Sequence, residues 1–204
     1  MYEGEWNEST NIIDGKGTCV WAADGSLYEG YWKNHKRNGK GRAIYEDGGV
    51  YEGEWRDGKR HGQGKHTYTD GEQYEGDYIE GKKEGSGKCR YADGSTYNGQ
   101  YKDNNIHGHG ILIYADAGKY EGEYMNNKKH GNGVFNSPNG GKYEGDFYHN
   151  KKQGRGIQTW ADGRKYDGEW FNDKMHGEGV FLTSNGKVVR GIWTEDELVE
   201  LTDN

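Results

Sequence analysis

A tyrosine recurs every 23 residues through most of the chain, followed by glycine two positions later and by an aromatic residue four positions later. Tyr2 precedes the first regular copy by 26 residues, and Val189 takes the tyrosine position after the last. The regular copies are Tyr28, Tyr51, Tyr74, Tyr97, Tyr120, Tyr143 and Tyr166. One fixed period is typical of repeat architectures, whose units bury apolar surface against their neighbours. Eight units and the first strand of a ninth therefore predict an array over residues 1–193.

One unit, residues 51–73, reads YEGEWRDGKRHGQGKHTYTDGEQ and predicts a β-hairpin. YEGEW alternates with the period of a strand, RDGKRH is expected as a six-residue loop, and GQGKHTY as the returning strand. Aspartate before glycine favours a turn into the next unit. That role is predicted for Asp47, Asp70, Asp93, Asp116, Asp162 and, with asparagine, for Asn139 and Asn185.

Pairing the strands across that loop places Gly53 opposite Gly64 and Trp55 opposite Gly62. Tyr51 then shares a face with these glycines, which leave room for aromatic rings to lie flat on the backbone. The other face carries Glu52, Glu54, Gln63 and Lys65. Because that face is too polar to bury, the sequence predicts an all-β, single-layer antiparallel sheet.

The motif YEGEWRDGKRHGQGKHTYTDG and its copies closely resemble the MORN repeat (membrane occupation and recognition nexus), over residues 2–193. The resemblance implies an elongated, twisted, single-layer antiparallel sheet of hairpins. It also implies a scaffold or adaptor, as in ciliary spoke heads, cytoskeletal rings and membrane contacts, or a segment attached to an enzyme. This chain departs from the pattern in its first loop and at Ala117, Ser137 and Thr183.

Composition excludes several classes of protein. A net charge of −7 argues against nucleic acid as a partner. Mean hydropathy of −1.28 would suggest disorder, but an aromatic content of 14% at a fixed period argues against it. No apolar run approaches the length of a membrane-spanning helix. The two cysteines, Cys19 and Cys89, fit a reducing, cytoplasmic compartment as free thiols.

No catalytic, cofactor-binding or metal-binding residues are predicted, so the chain is not expected to be an enzyme. A catalytic site needs a unique group of convergent side chains, whereas carboxylate pairs such as Glu52 and Glu54 recur along the array. The histidines His61, His107, His130 and His176 share one position of the unit. Neighbouring copies should lie roughly 10 Å apart, which is too far for them to share one metal ion.

Pairs of basic residues recur in the predicted loops, at one edge of the expected sheet. They are Lys36, Arg37, Lys59, Arg60, Lys82, Lys83, Lys128, Lys129, Lys151 and Lys152. One interpretation is a charged edge that resists pairing with other sheets. The other is a surface that binds anionic phospholipid or phosphoinositide at the inner membrane face.

The C-terminal residues 194–204 predict a short capping helix and tail. Thr194 and Glu197 have the spacing of a capping box, and Trp193 with Leu198 that of a hydrophobic staple. We therefore expect a helix over residues 195–201 that covers the last unit.

The face opposite the rings becomes apolar in the C-terminal half, where charged residues give way to aliphatic ones. The aliphatic residues are Ile111, Ile113, Val134, Ile157, Val180, Leu182 and Ile192. Contiguous exposed apolar residues often mark an interface. The sequence therefore predicts a partner-binding stripe, used by an amphipathic helix or for self-association, unless twist or the terminal helix covers it.

Three functions follow. The first is a non-catalytic scaffold that binds partner proteins along the repeat surface, in a cytoskeletal or ciliary assembly. The second is a peripheral membrane tether that binds phosphoinositide through the basic edge. The third is a regulatory segment of a larger enzyme.

Overall fold

The computed structural model describes residues 1–202, which form eighteen strands and no helix. The strands are β1 (Tyr2–Asn7), β2 (Ile12–Val20), β3 (Leu27–Lys33), β4 (Lys36–Ile44), β5 (Val50–Arg56), β6 (Lys59–Thr67), β7 (Gln73–Ile79), β8 (Lys82–Arg90), β9 (Thr96–Lys102), β10 (Asn105–Ile113), β11 (Lys119–Met125), β12 (Lys128–Asn136), β13 (Lys142–Tyr148), β14 (Lys151–Thr159), β15 (Lys165–Phe171), β16 (Lys174–Leu182), β17 (Val188–Thr194) and β18 (Glu197–Leu201). No helix in the described range is long and apolar enough to cross a membrane.

The chain divides into two compact units, Met1–Asn105 and Ile106–Asn204. Unit 1 contains β1 to β9 and unit 2 contains β10 to β18, with β10 starting at the last residue of unit 1. In each unit every strand pairs antiparallel with the next one along the chain. The prediction of an all-β antiparallel sheet built from tandem hairpins is confirmed.

From β3 onward the turn inside each hairpin has two residues, not the six that the sequence predicted, and the first hairpin has four. β5 ends at Arg56 and β6 begins at Lys59, which leaves Asp57 and Gly58 as the turn. Their φ angles are 50° and 84°. Positive φ at both central residues is the type I′ turn, whose twist matches that of paired strands.

A bulge in the returning strand explains the difference. Gly53 pairs with Gly64 as predicted, but Trp55 pairs with Arg60 rather than with Gly62. Residue 54 therefore stands against residues 61–63, and Gly62 takes a φ of +60° that a bulge of this kind favours. The equivalent glycines with positive φ are Gly15, Gly39, Gly85, Gly108, Gly131, Gly154 and Gly177.

The two faces of each unit differ sharply in burial. We call the face with the repeated tyrosines the ring face and the opposite one the outer face. The seven regularly spaced tyrosines are at most 1% exposed. On the outer face Glu52 and Lys65 are exposed. The aromatic core therefore lies along one side of a single layer, as the alternation predicted.

The turns between repeats confirm the role predicted for the aspartates. The carboxylate of Asp70 accepts a hydrogen bond from the backbone N–H of Glu72 at 2.9 Å. Gly71, with a φ of +88°, completes the reversal. The equivalent residues bond in the same way, namely Asp47, Asp93, Asp116, Asp162, Asn139 and Asn185.

The predicted C-terminal helix over 195–201 is wrong. Glu197–Leu201 forms β18, which pairs with β17 through the turn Glu195–Asp196. These two residues have φ angles of 52° and 74°, the same turn as in the preceding hairpins. Asp196 also exchanges two hydrogen bonds with the backbone of Met175. The ladder outweighs the local helix-capping signals because it satisfies an open row of backbone donors and acceptors on β17.

Candidate functional site

The ring face is built on tyrosines that lie directly over glycines. The Tyr51 hydroxyl donates to the carbonyl oxygen of Glu54 at 3.0 Å. A Cβ atom on Gly53 or Gly64 would lie within 2.6 Å of that hydroxyl oxygen. The glycines are therefore required by the rings, as the sequence indicated.

The rings meet edge to face rather than in parallel stacks. Tyr51 contacts Trp55 of its own repeat at a centroid distance of 5.1 Å and Tyr78 of the next repeat at 5.3 Å, with interplanar angles of 85° and 90°. This geometry is the favoured one for aromatic pairs. The indole N–H of Trp55 also donates to the carbonyl oxygen of Gly41 at 3.2 Å. Within each unit, neighbouring repeats are thus joined by rings as well as by the backbone ladder.

The second residue of each predicted basic pair lies on the ring face, not in a loop. The Arg37 guanidinium is 4.2 Å from the ring centroid of Trp55, and that of Arg60 is 5.0 Å from Tyr78. In unit 2 the Lys129 ammonium lies over the rings of Tyr120 and Phe147, and burial lowers its pKa. Such cation–π contacts stabilise a charge that is partly removed from water.

The first residue of each basic pair is exposed and points away from the rings. Lys59 forms an ion pair with Glu80 of the next repeat at 2.6 Å, and Lys82 does so with Asp103 at 2.6 Å. In unit 2 the Lys151 ammonium donates to the side-chain oxygen of Asn172 at 3.2 Å. The predicted basic edge therefore consists of two rows. The second residues of the pairs lie over the aromatic rings, and the first residues lie near the turns of neighbouring repeats, where several of them bind side chains. The exposed members are Lys36, Lys59, Lys82, Lys128 and Lys151.

A groove of about 770 Å³ opens on the ring face of unit 1. It is lined by Trp21, Tyr45 and Tyr68, by Arg37 and Arg60, and by the acidic residues Asp24, Glu46 and Asp47. Burial lowers the pKa of the Arg37 side chain, with the neighbouring Arg60 adding to the effect. Arg37 forms no ion pair with any residue in the range 1–202. The groove therefore combines aromatic side chains with Arg37, a cation without an ion pair among residues 1–202, beside three acidic residues.

His66 fixes one of these cations. An Nη1–H of Arg60 donates to Nδ1 of His66 at 3.1 Å, and an Nη2–H donates to the carbonyl oxygen of Gly81 at 2.9 Å. His66 is 8% exposed, and burial, together with the charges of Arg60 and Lys83, lowers its pKa to about 4. A neutral imidazole is the form that can accept the bond from arginine. His66 thus stays a hydrogen-bond acceptor at neutral pH.

The outer face of unit 1 carries a cross-strand ladder of charges. Glu52 stands opposite Arg42 on one side and Lys65 on the other. Glu75 then stands between Lys65 and Lys88. The Arg42 Nε and Glu52 Oε1 atoms are 2.8 Å apart. Opposite charges on directly paired residues support the strand pairing.

In unit 2 the same positions alternate between aliphatic and acidic side chains. Val134 stands opposite Glu121 and Glu144, and Ile157 opposite Glu144 and Asp167. We call the aliphatic members the apolar row, which consists of Ile111, Val134, Ile157 and Val180. The structure therefore brings four of the seven predicted stripe residues into one line.

The other three residues of the predicted stripe lie outside the apolar row. Ile113 pairs with Lys119 and is 45% exposed. Leu182 pairs with Lys165 in that same neighbouring row. Ile192 pairs with Glu178 on the side nearer the hairpin turns.

Sequence reasoning missed two features of the outer face. The first is that a carboxylate holds the bulge: Asp77 accepts from the backbone N–H of Ser86 at 2.8 Å, and Asp146 from that of Arg155 at 3.1 Å. The sequence signal for this contact is the acidic residue that lies between the glycine and the second aromatic residue of the repeat. The second is an aliphatic row in unit 1, signalled by apolar residues just before the tyrosines. It consists of Val20, Leu27, Ile44 and Val50.

Within residues 1–202 no three histidine, cysteine or carboxylate side chains are grouped so that they could hold a metal ion. His107 and His130 occupy the same position of the unit, and each has a buried Nδ1 with no hydrogen-bond partner in that range.

The solved structures that are similar to the chain include two TCP domains. The TCP domain of SAS-4 (dCPAP) from Drosophila melanogaster, in complex with a proline-rich motif of Ana2 (dSTIL), is 18% identical, with 74% of this chain and 83% of that one covered and a TM-score of 0.46. The wild-type TCP10 domain of CPAP from Danio rerio is 9% identical, with 98% and 92% covered and a TM-score of 0.49. No curated protein matches the chain.

The model of the MORN repeat matches the chain in eight consecutive segments. They are residues 2–26, 28–50, 51–73, 74–96, 97–119, 120–142, 143–163 and 166–188. The segments follow the repeated tyrosines, and almost all of the chain is covered. The chain is a member of the MORN-repeat family.

Proposed function

We propose that this protein is a non-catalytic scaffold that binds a segment of a partner protein in the ring-face groove of unit 1. The observation that carries the proposal is Arg37, a partly desolvated cation stacked on Trp55 without an ion pair in the described range. A charge in a partly dry site interacts more strongly with an opposite charge than it would in water.

The walls of the groove indicate what the segment would look like. Tyr45 and Tyr68 present ring surface, which binds aliphatic or aromatic side chains. Arg37 suits a carboxylate, because a guanidinium offers a planar fork of donors. We therefore infer an extended segment that carries an acidic residue flanked by apolar ones.

We place this scaffold in a cytoskeletal or ciliary assembly in the cytoplasm. The support is membership of the family, many of whose members are scaffolds of such assemblies. A regulatory segment of a larger enzyme remains an alternative in which the same groove would hold another part of that enzyme.

The test is affinity capture from native cell extract with wild-type protein and with Arg37→Met. Methionine already stands at the equivalent position as Met175, where it is buried, so the variant should fold. Lys129→Met makes a similar change in unit 2 and is the control. We expect Arg37→Met to lose a defined set of captured proteins that Lys129→Met retains. Retention of the same set by both variants would refute the groove as the binding site.

The second candidate is a peripheral membrane tether. It is supported by the exposed lysines on the turns, in unit 1 Lys36, Lys59 and Lys82 and in unit 2 Lys128 and Lys151. Each lysine near an anionic surface contributes roughly 1 kcal/mol. Flotation with phosphoinositide vesicles tests it: charge reversal at Lys59, Lys82 and Lys128 should abolish flotation if the row binds lipid. Unchanged flotation would remove the row from consideration.

A further inference from the structure

We propose that the apolar row of unit 2 binds one amphipathic helix of a partner protein, laid across the strands. This surface is on the outer face of unit 2, whereas the groove is on the ring face of unit 1. Its members Ile111, Val134, Ile157 and Val180 are all partly exposed, and no residue in the range 1–202 forms a layer over them.

The first argument is the spacing of the row. Its members come from every second strand, β10, β12, β14 and β16. Strands about 4.8 Å apart put these side chains roughly 9.6 Å apart. A helix rises about 10.5 Å in seven residues, so one heptad matches one repeat to within about 1 Å. The whole row is roughly 29 Å long, which a helix of about 20 residues spans. An extended strand has no such match, since its side chains on one face recur every 6.6–6.8 Å or so.

The second argument is the charge beside the row. Glu121, Glu144 and Asp167 alternate with the aliphatic side chains. Each has a lysine two residues before it on the same strand, and Lys119 and Lys142 lie 2.8 Å and 2.7 Å from their carboxylates. These three lysines lie on the side of the row away from the hairpin turns, whereas Arg155 lies on the other side, opposite Glu169, and Arg190 stands in the row itself, opposite Val180.

On the other side of the row, toward the hairpin turns, the same strands carry further carboxylates. Asp146 bonds to the backbone of Arg155 and Glu123 to that of Asn132, and neither forms an ion pair within residues 1–202. A bound helix would therefore meet a mainly negative flank here, with Glu123, Asp146, Glu169 and Glu178 against the one arginine Arg155, and lysines on the other flank. Charge complementarity assigns basic residues to the flank of the helix that faces the hairpin turns.

The third argument is the contrast with unit 1, where the same positions are Arg42, Lys65 and Lys88 in a ladder with glutamates. Unit 1 shows that lysine at these positions is compatible with the fold and can pair with the adjacent carboxylates. The aliphatic side chains of unit 2 are therefore not required by the hairpin itself. A half-buried aliphatic row with one unused face usually marks an interface.

The test is Val134→Lys with Ile157→Lys, which gives unit 2 the side chains of unit 1. The matched control is Val20→Lys with Ile44→Lys, the same change two strands apart on the outer face of unit 1. The probe is a synthetic amphipathic peptide of about 25 residues with leucine at every seventh position and lysine along one flank. Binding is followed by fluorescence anisotropy at low salt, and folding by circular dichroism and thermal melting.

We expect the wild type and the control to bind the peptide and the double variant of unit 2 to bind at least about tenfold more weakly. A scrambled peptide of the same composition should bind none of them. Equal binding by all three proteins, loss only in the unit 1 control, or no binding by the wild type would overturn the proposal. Sedimentation adds one more outcome: if the wild type dimerises and Val134→Lys with Ile157→Lys makes it monomeric, the occupant is a second copy and the helix is excluded.

Discussion

A Cβ atom on Gly64 would lie 2.2 Å from the hydroxyl oxygen of Tyr51, which covers that glycine from the facing strand. That distance is far shorter than a van der Waals contact, so Tyr51 can occupy its position only because residue 64 has no side chain. Gly64→Val should force Tyr51 off its site and destabilise the protein by about 3 kcal/mol, as overpacking does at its upper end. Urea unfolding followed by circular dichroism measures the loss.

Gly71→Ala is the control for that change. Nothing lies within 4 Å of a Cβ at Gly71, although its φ is +88°. Ala117 already occupies the equivalent turn position with a φ of +68°. We expect a cost of about 1 kcal/mol from the backbone conformation alone. Equal losses for the two variants would show that ring contact is not what requires Gly64.

Tyr74 and Tyr78 provide a matched pair for the tyrosine hydroxyl. The Tyr74 hydroxyl donates to the carbonyl oxygen of Asp77 at 3.1 Å. The Tyr78 hydroxyl is buried and has no hydrogen-bond partner within residues 1–202. Tyr74→Phe should therefore cost about 1 kcal/mol, while Tyr78→Phe should be neutral or stabilising, because it removes an unsatisfied buried group. Chemical denaturation measures the free energy of unfolding of both variants. A larger loss of stability for Tyr78→Phe than for Tyr74→Phe would contradict the prediction.

His66 should make the protein less stable in mild acid. Its pKa is lowered from 6.5 in the unfolded chain to about 4 in the fold, mainly by burial. Between these pH values the unfolded state binds a proton that the native state does not, so stability falls as pH falls through this window. The slope is at most about 1.4 kcal/mol per pH unit.

His66→Gln is the variant that tests this origin. Gln158 occupies the equivalent position in unit 2, and its side-chain oxygen accepts from the Lys152 ammonium as His66 accepts from Arg60. We expect urea midpoints of the wild type to drop between pH 6.5 and 4.5 and those of His66→Gln to drop less. Parallel curves for the two proteins would assign the acid sensitivity to other groups.

Cys19 and Cys89 should differ in reactivity although they occupy equivalent positions. Both are free thiols, Cys89 is buried, and burial followed by the charge of Glu72 raises its pKa to about 12. Since the thiolate is the reactive form, Cys19, which is only half-buried, should alkylate at least about tenfold faster. Iodoacetamide at pH 8 with peptide mass spectrometry measures both rates. Faster labelling of Cys89 would mean that its strand opens in the native state.

Much of the fold could be predicted from the sequence because the signals are local and repeated. The period of 23 residues set the hairpin unit, and alternation in YEGEW set which residues share the ring face. Asp70 and Gly71 predicted the turn, since their preference for it lies in their own backbone and side chain. The pairing of Gly53 with Gly64 followed from the same alternation.

Other features depend on contacts between repeats, and only the tertiary structure decided them. The bulge at Gly62 moved Arg60 from a predicted loop to the ring face, where Tyr78 of the next repeat receives it. The C-terminal residues carried local signals for a helix, but the open edge of β17 bound them as β18. The sequence by itself determined the repeat, the two faces and the turns, because each follows from residues close together in the chain. The tertiary structure decided the register at the bulge, the position of the cations and the last strand, because each depends on a neighbouring repeat that supplies the ring or the backbone partner.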